Sequence, residues 1–231
     1  MAPLNAPREG AHLSNPVSPG TLVVVGGGEH AAVVVDAARS RPGVWHVAGY
    51  LAPEPSTLLA ATVPPVLHLG DDDTWTTIAG AALVLGFGGG TRPVQRESAV
   101  ARFGPDVAWA TVVHAAAVVS PSARVGRGVF VGPAAVVAPG ASVGDHAIVN
   151  SGAIVEHDVV VGPYAHVAPG AVLGGGARIG RGAFIGLGAR IRDHITVGDG
   201  AVVAMGAVVV SDVAPQQAVA GVPARELSTR G

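Results

Sequence analysis

The chain has 231 residues, a net charge of −2 and no cysteine. That length buries the core of one large domain or two modest ones. The charge argues against a nucleic-acid partner, whose footprint is basic, and the missing thiols exclude disulfides, cysteine-held zinc and a thiol acyl-enzyme.

Residues 1–20 read as a flexible leader without a signal-peptide pattern. "TLVVVGGGEHAAVVVDAARSR" then reads as a buried strand over Thr21 to Val25, a turn over Gly26 to Gly28 and a helix over Glu29 to Arg39. A second strand, "WHVAGYL", follows, and "AALVLGFGGG" is a third that ends in glycines. "RPVQRESAVARFG" has helical spacing and "VAWATVV" is strand-like. Strands alternating with helices predict a small, Rossmann-like parallel α/β domain over 21–108. Its "GGGEHA" fits G-x-G-x-x-A between a strand and a helix, a turn able to hold a phosphate.

From Val113 the period changes. Every sixth residue from Val113 to Val209 is Val, Leu or Ile, seventeen positions without an exception. Four residues after each of the first sixteen comes a small or aliphatic residue, from Ala117 to Ala207. A period of six suits neither a helix nor a hairpin sheet; it predicts a parallel β-helix with one hexad per face. Three faces make eighteen residues per coil, hence nearly six coils about 4.8 Å apart. The domain is expected over 109–214, with a C-terminal tail over 215–231.

Polar residues stand out against this code. Adding eighteen to Glu156, His157 and Asp158 gives Gly174, Gly175 and Gly176, so the glycine triplet is expected directly above the Glu-His-Asp run. Bare backbone there lets an extended ligand approach His157. A carboxylate beside an imidazole fixes its tautomer and favours its protonated form, which suits a general base. Leu187 and Met205 are eighteen apart and are expected to stack.

The segments "VVVGGGEHAAVVVD", "VVHAAAVVSPSARVGRGVFV", "VNSGAIVEHDVVVGPYAHVAPGAVLGGGARIG" and "VAGVPAR" together resemble the hexapeptide-repeat acyltransferases. Within these, the span 21–225 is similar to the sialic-acid O-acetyltransferase and UDP-amino-sugar N-acetyltransferase family. The resemblance implies a left-handed parallel β-helix, a homotrimer with sites between subunits, and acetyl-coenzyme A as co-substrate. It implies that His157 is the catalytic base and Asp158, where the family often carries Glu, its acidic helper. It places the nucleotide sugar at Gly28, Glu29, His30 and Gly86, with Asn150 helping to position the acceptor. It places the coenzyme against His166, Gly175, Leu187, Met205 and Arg225. The family commonly has acidic residues after the second strand, where this chain has Ala52 and Pro53.

The expected activity is N-acetylation of a nucleotide-linked amino sugar, of UDP-4-amino-sugar type, in bacterial glycan biosynthesis; O-acetylation of sialic acid or another sugar is the alternative. Two other readings are a non-catalytic nucleotide-sugar-binding scaffold and a zinc enzyme like the γ-class carbonic anhydrases. The zinc reading needs converging histidines, but His146, His157 and His166 occupy different hexad positions, and no metal is assigned. No window reaches eighteen residues free of charged or turn-forming residues, so no spanning helix is expected and the location is expected to be cytoplasmic.

Overall fold

A computed structural model describes residues 20–227 except residue 79 and residues 89–92. The expected leader therefore lies outside the described residues, apart from Gly20, which opens the first strand. Three parallel strands, β1 (Gly20–Val25), β2 (Trp45–Leu51) and β3 (Ala82–Leu85), form a sheet in the order β2-β1-β3. Leu22 to Val25 are buried, as expected for a central strand covered on both faces. Helix α1 (Glu29–Arg39) shares a core with Leu22 and Val24 on one face. A short helix, α2 (Thr57–Ala60), precedes α3 (Pro93–Phe103), whose Ala99 and Phe103 pack with Val23 and Val25 on the other.

The strand-like segment "VAWATVV" is not one strand. Trp109 makes a single parallel bridge to Leu83 at the edge of β3, and Val112–Val113 already belongs to the next domain. This segment hands the chain from the sheet to the first coil, so its apolar residues are shared among three packed clusters.

Seventeen two-residue strands then follow, from Val112–Val113 to Val208–Val209, and they stack in three parallel sheets. The architecture is a β-solenoid of about six coils. Register is uniform: Val131 pairs with Val149, Val149 with Val167, and Val167 with Ile185, each eighteen residues on. The sixth-residue aliphatics point inward, and with the corner alanines they form one continuous core from Val113 to Val219. Leu173, Ile185 and Val203 are fully buried in it.

A second six-residue rhythm lies three places after each inward aliphatic. From Gly128 to Gly206 every residue at that position has positive φ. Most are glycine, which adopts the left-handed region freely. The exceptions are Ala134, His146, Asp158, Tyr164 and His194.

Residues 215–227 are not a loose tail. After Val209 the repeat drops two residues, so Val213 bridges Val197 and Val219 pairs with Val203, sixteen residues apart instead of eighteen. That skip hides the last turn from a strict count of six. Ala218–Ala220 extends one sheet, and Arg225–Glu226 folds back antiparallel on it.

The two domains share a core. Phe130 and Ile148 point outward from one solenoid face and pack with α1 residues, so α1 lies between sheet and solenoid. On the far side of the junction, Arg181 stacks over Tyr164 at 4.9 Å and pairs with Glu97 of α3. Tyr164 stacks on His146 at 5.1 Å, and His146 meets Trp109 edge-on at 4.9 Å. His146 is thus a buried residue at a left-handed corner.

Replacing Leu173 with alanine is expected to destabilise the protein by about 3 kcal/mol in a urea titration, because a stacked core refills poorly. A second expectation concerns acid. Burial chiefly, opposed by Asp145, lowers His146 from 6.5 to about 4. The fold therefore favours neutral His146; this stability is complete above about pH 6.5 and is lost as pH falls toward about 4. His146→Asn, which tolerates the left-handed corner, should show a smaller drop in Tm between pH 7.5 and 5.0 than the parent. An equal drop would rule out His146 as a contributor.

Candidate active site

His157 and Asp158 sit together on one solenoid corner. His157 Nδ1 is 3.0 Å from Asp158 Oδ2, and the side chains are 61% and 73% exposed in the single chain. A carboxylate only accepts, so Nδ1 carries a proton, and in the neutral ring Nε2 is the nitrogen with the lone pair. Asp158 has φ 59°, a conformation that Asp tolerates better than most residues. The turn aims its carboxylate back toward the preceding coil: a Cβ at Gly140, eighteen residues earlier, would collide with Asp158 Oδ1. Glu156 Oε2 accepts from the His157 backbone N–H at 3.3 Å.

The glycine triplet does lie over this run, with Gly176 N–H donating to His157 O at 2.9 Å. It is not an open floor for a ligand. A Cβ at Gly175 would overlap His157 Nε2 and Cε1, so the imidazole itself fills that space. The catalytic candidate is seated between two glycines, Gly175 for the ring and Gly140 for its carboxylate. Gly140 escaped the sequence reading, although subtracting eighteen from Asp158 points to it.

Asn150, Leu187 and Met205 occupy the neighbouring corner, one face away. The backbone ladder there runs Gly170 N to Ser151 O, Gly188 N to Pro169 O and Gly206 N to Leu187 O, so the residues between stack as a wall. Leu187 and Met205 are 51% and 74% exposed on it. Two apolar side chains presented to solvent in register form a built surface rather than scattered exposure. The turn Gly221 to Ala224 continues the wall, bonded to Val208 through Gly221 O and Ala224 N, and exposed Arg225 follows. Between the two corners runs an outward column of Val118, Val136, Ile154, Val172, Arg190 and Val208. Within one chain, this face separates His157 from the Asn150 wall.

Asn150 also reaches the junction of the domains. Its Nδ2 lies 3.4 Å from His166 Nε2, while its Oδ1 accepts from Ser151 N–H at 2.8 Å. His166 follows Phe130 and Ile148 in the outward column and packs edge-on against Phe184 at 5.2 Å. Gly88 of the loop after β3 lies directly against its ring. His30, in the first turn of α1, meets Phe130 edge-on at 5.1 Å. Burial first, then the positive charge of Arg96, lowers His30 to about 3 and His166 to about 4.

The glycine turn before α1 is half open. Gly28 caps the helix with no side chain near its α-carbon, and Glu29 is exposed beside it. Gly27 is held by Ser56, whose Oγ donates to Gly27 O at 2.5 Å and whose N–H donates to Tyr50 Oη at 2.6 Å. Ser56 was not legible as a site residue, because its partners are 29 and 6 residues away. Gly86 is buried beneath α1, where a Cβ would overlap Val24 and Ala31; its glycine is explained by that close approach. Ala52 is buried at the end of β2 and Pro53 is exposed.

His146, His157 and His166 lie in three separate settings: a buried corner, an exposed corner and the domain junction. Among the described residues no three His, Cys, Asp or Glu side chains gather as a metal site, and no helix is long and apolar enough to cross a membrane.

Comparison with known proteins follows the same lines. The family described as bacterial transferase hexapeptide (six repeats) matches residues 140–175, and the hexapeptide repeat of succinyl-transferase matches residues 122–157 and 176–211. No curated protein matches the sequence. Among solved structures, the acetyltransferase domain of PglB from Neisseria gonorrhoeae, in complex with acetyl coenzyme A, is 30% identical with a TM-score of 0.82, over 91% of this chain and 100% of that one. PerB from Caulobacter crescentus, in complex with CoA and GDP-perosamine, is 33% identical with a TM-score of 0.77, over 90% and 98%. A variant of perosamine N-acetyltransferase from Caulobacter crescentus, in complex with CoA and GDP-perosamine, is also 33% identical, with a TM-score of 0.78 over 90% and 97%. WeeI from Acinetobacter baumannii is 25% identical with a TM-score of 0.74, over 90% and 99%. With relatives matched at this identity along essentially their full length, and with the six-residue solenoid that carries the family's profile, the chain belongs to the hexapeptide-repeat acetyltransferases.

Proposed function

We propose that the protein transfers the acetyl group of acetyl-coenzyme A to the amine of a nucleotide-linked sugar, with His157 as general base. The observation that carries this reading is the His157–Asp158 pair, held between Gly140 and Gly175 and open to solvent. The relatives in complex with acetyl coenzyme A, and with CoA and GDP-perosamine, supply the donor and the acceptor class. The amine attacks the thioester carbonyl, and His157 Nε2 takes the proton that the nitrogen loses as the carbon–nitrogen bond forms. The carbon–sulfur bond then breaks and the proton passes to the departing thiolate. Asp158 keeps Nδ1 protonated throughout and stabilises the imidazolium between the two steps. No acyl-enzyme is required, in keeping with a chain that has no cysteine.

In this reading Gly28, Glu29 and His30 receive the nucleotide sugar at the N-terminus of α1, where backbone N–H groups favour phosphate. Ala52 and Pro53 stand where the family's acidic residues are common, and Ser56 is the polar group beside Gly27. Asn150 and His166 orient the acceptor and the thioester, and the Leu187–Met205 wall takes the coenzyme's pantetheine arm, with Arg225 toward its phosphates. These two halves of the site lie on different corners of one chain. We infer that a homotrimer joins them, each subunit laying His157 beside its neighbour's Asn150 wall, with the column of Val118, Val136, Ile154, Val172 and Val208 at the contact.

Release of free coenzyme A thiol, followed with acetyl-coenzyme A against UDP-4-amino sugars, GDP-4-amino sugars and sialic acid, tests the assignment. Turnover is expected with a nucleotide amino sugar; turnover with sialic acid alone would transfer the assignment to O-acetylation, and thiol release with none would remove it. His157→Ala is expected to lower kcat by at least about a hundredfold with the oligomer intact, and near-parental turnover would end its role as base. Ile154→Glu is expected to give a folded monomer with activity lost, read by light scattering alongside the thiol assay. An active monomer would refute the shared site.

A further inference from the structure

The amide of Asn150 has two unlike ends: its oxygen only accepts hydrogen bonds and its nitrogen only donates them. Which end faces which neighbour is set locally. Oδ1 accepts from the Ser151 backbone N–H at 2.8 Å and from Ser151 Oγ at 3.4 Å. Turned over, the amide would set its own N–H groups against the Ser151 N–H, donor against donor. Nδ2 is therefore the end toward His166, 3.4 Å from Nε2. A hydrogen bond between these two nitrogens requires Nε2 to supply a lone pair.

A neutral imidazole carries one proton, so a ring that accepts at Nε2 holds it on Nδ1. His166 is neutral at neutral pH, since burial first, then the charge of Arg96, lowers it to about 4. Its Nδ1 is buried and completes no hydrogen bond among the described residues. The ring edge carrying Nδ1 faces Gly88, where a Cβ would stand 3.2 Å from Cε1 and 3.6 Å from Nδ1. Gly88 has a φ outside the left-handed region, so the close approach of this ring is what its missing side chain serves. The loop is fixed from its other side as well. Buried Arg96 donates from Nη1 to Phe87 O and from Nη2 to His146 O at 2.8 Å. The Phe87 ring in turn lies against Gly26 of the glycine turn, where a Cβ would stand 3.2 Å from Cδ1.

We propose that Asn150 is a positioning residue that holds His166 as its Nδ1–H tautomer, making His166 a hydrogen-bond donor toward the Phe87–Gly88 loop and not a base. The ring's lone pair is engaged by Asn150, so His166 has nothing with which to accept a proton from the acceptor amine. The exposed His157 is left to do so. A relay runs from the Asn150 wall through His166 to the loop that packs on the nucleotide turn, and it keeps the two halves of the acceptor site in register. This rests on the proposed reading of Asn150 and His166 as site residues.

Ring-nitrogen NMR of the full-length protein, labelled with 15N-histidine and without substrate, tests the proposal at pH 7.5. The His166 signals are assigned by their loss in His166→Asn. In water a neutral histidine favours the proton on Nε2, and burial alone does not reverse that choice. The parent is expected to show Nδ1–H. In Asn150→Asp, whose carboxylate only accepts, a proton is expected on Nε2. In Asn150→Leu, which engages neither nitrogen, the Nδ1–H form should no longer be the only one. In both variants kcat/KM for the nucleotide amino sugar should fall at least about tenfold. Nε2–H in the parent would overturn the proposal, as would Nδ1–H alone in a folded Asn150→Asp. A changed tautomer with parental kcat/KM would remove the positioning role. The parental spectrum decides the matter if the variants fail to fold. Because the spectra need no substrate, absence of turnover with every nucleotide amino sugar removes the proposed function and leaves the tautomer to be read separately.

Discussion

Everything in this molecule depends on the parallel backbone ladder that pairs each residue with the one eighteen positions later. Because the ladder is uniform, an inward aliphatic always lands on another, and two strand residues per face suffice to make a core. The strands are too short to be stable separately, and each coil is held by the coils on either side of it. The same ladder converts sequence spacing into spatial order. A side chain on a corner has a defined neighbour above and below, and whether that neighbour is glycine decides where the side chain can go.

The catalytic candidate exploits this rule twice. His157 and Asp158 turn in opposite directions along the solenoid axis, the ring toward Gly175 and the carboxylate toward Gly140. Two consecutive residues are thereby held apart enough to share one hydrogen bond without competing for one space. The N-terminal domain uses the ladder differently. It covers the outward column at Phe130 and Ile148 and stops at His166, so the junction ends where the site begins.

Much of this was legible in the sequence, because a period of six translates directly into three faces and eighteen-residue stacking. The solenoid, its inward residues and the position of Gly175 over His157 all follow from counting. What was not legible depends on side-chain direction or on contacts between domains. Counting put the glycine triplet over the histidine but could not tell that the imidazole would occupy the space. The buried settings of His146 and Arg96 arise where a second domain covers the solenoid, and neither has a local signal. Gly86 looked like a ligand contact on resemblance; its packing against Val24 and Ala31 became visible only once α1 was in place. The last turn was missed for a simpler reason, the loss of two residues after Val209.

That shortened turn closes the end of the solenoid. A parallel β-helix cut off in mid-coil presents bare N–H and C=O groups to any other strand, and a second solenoid could stack on it end to end. Here Ala218–Ala220 completes the edge and the antiparallel Arg225–Glu226 strand lies over it, offering two charged side chains and a reversed chain direction instead of a matching ladder. The C-terminal segment thus acts as a stopper: it sets the length of the rod and keeps a fold built for endless repetition from growing into a fibre.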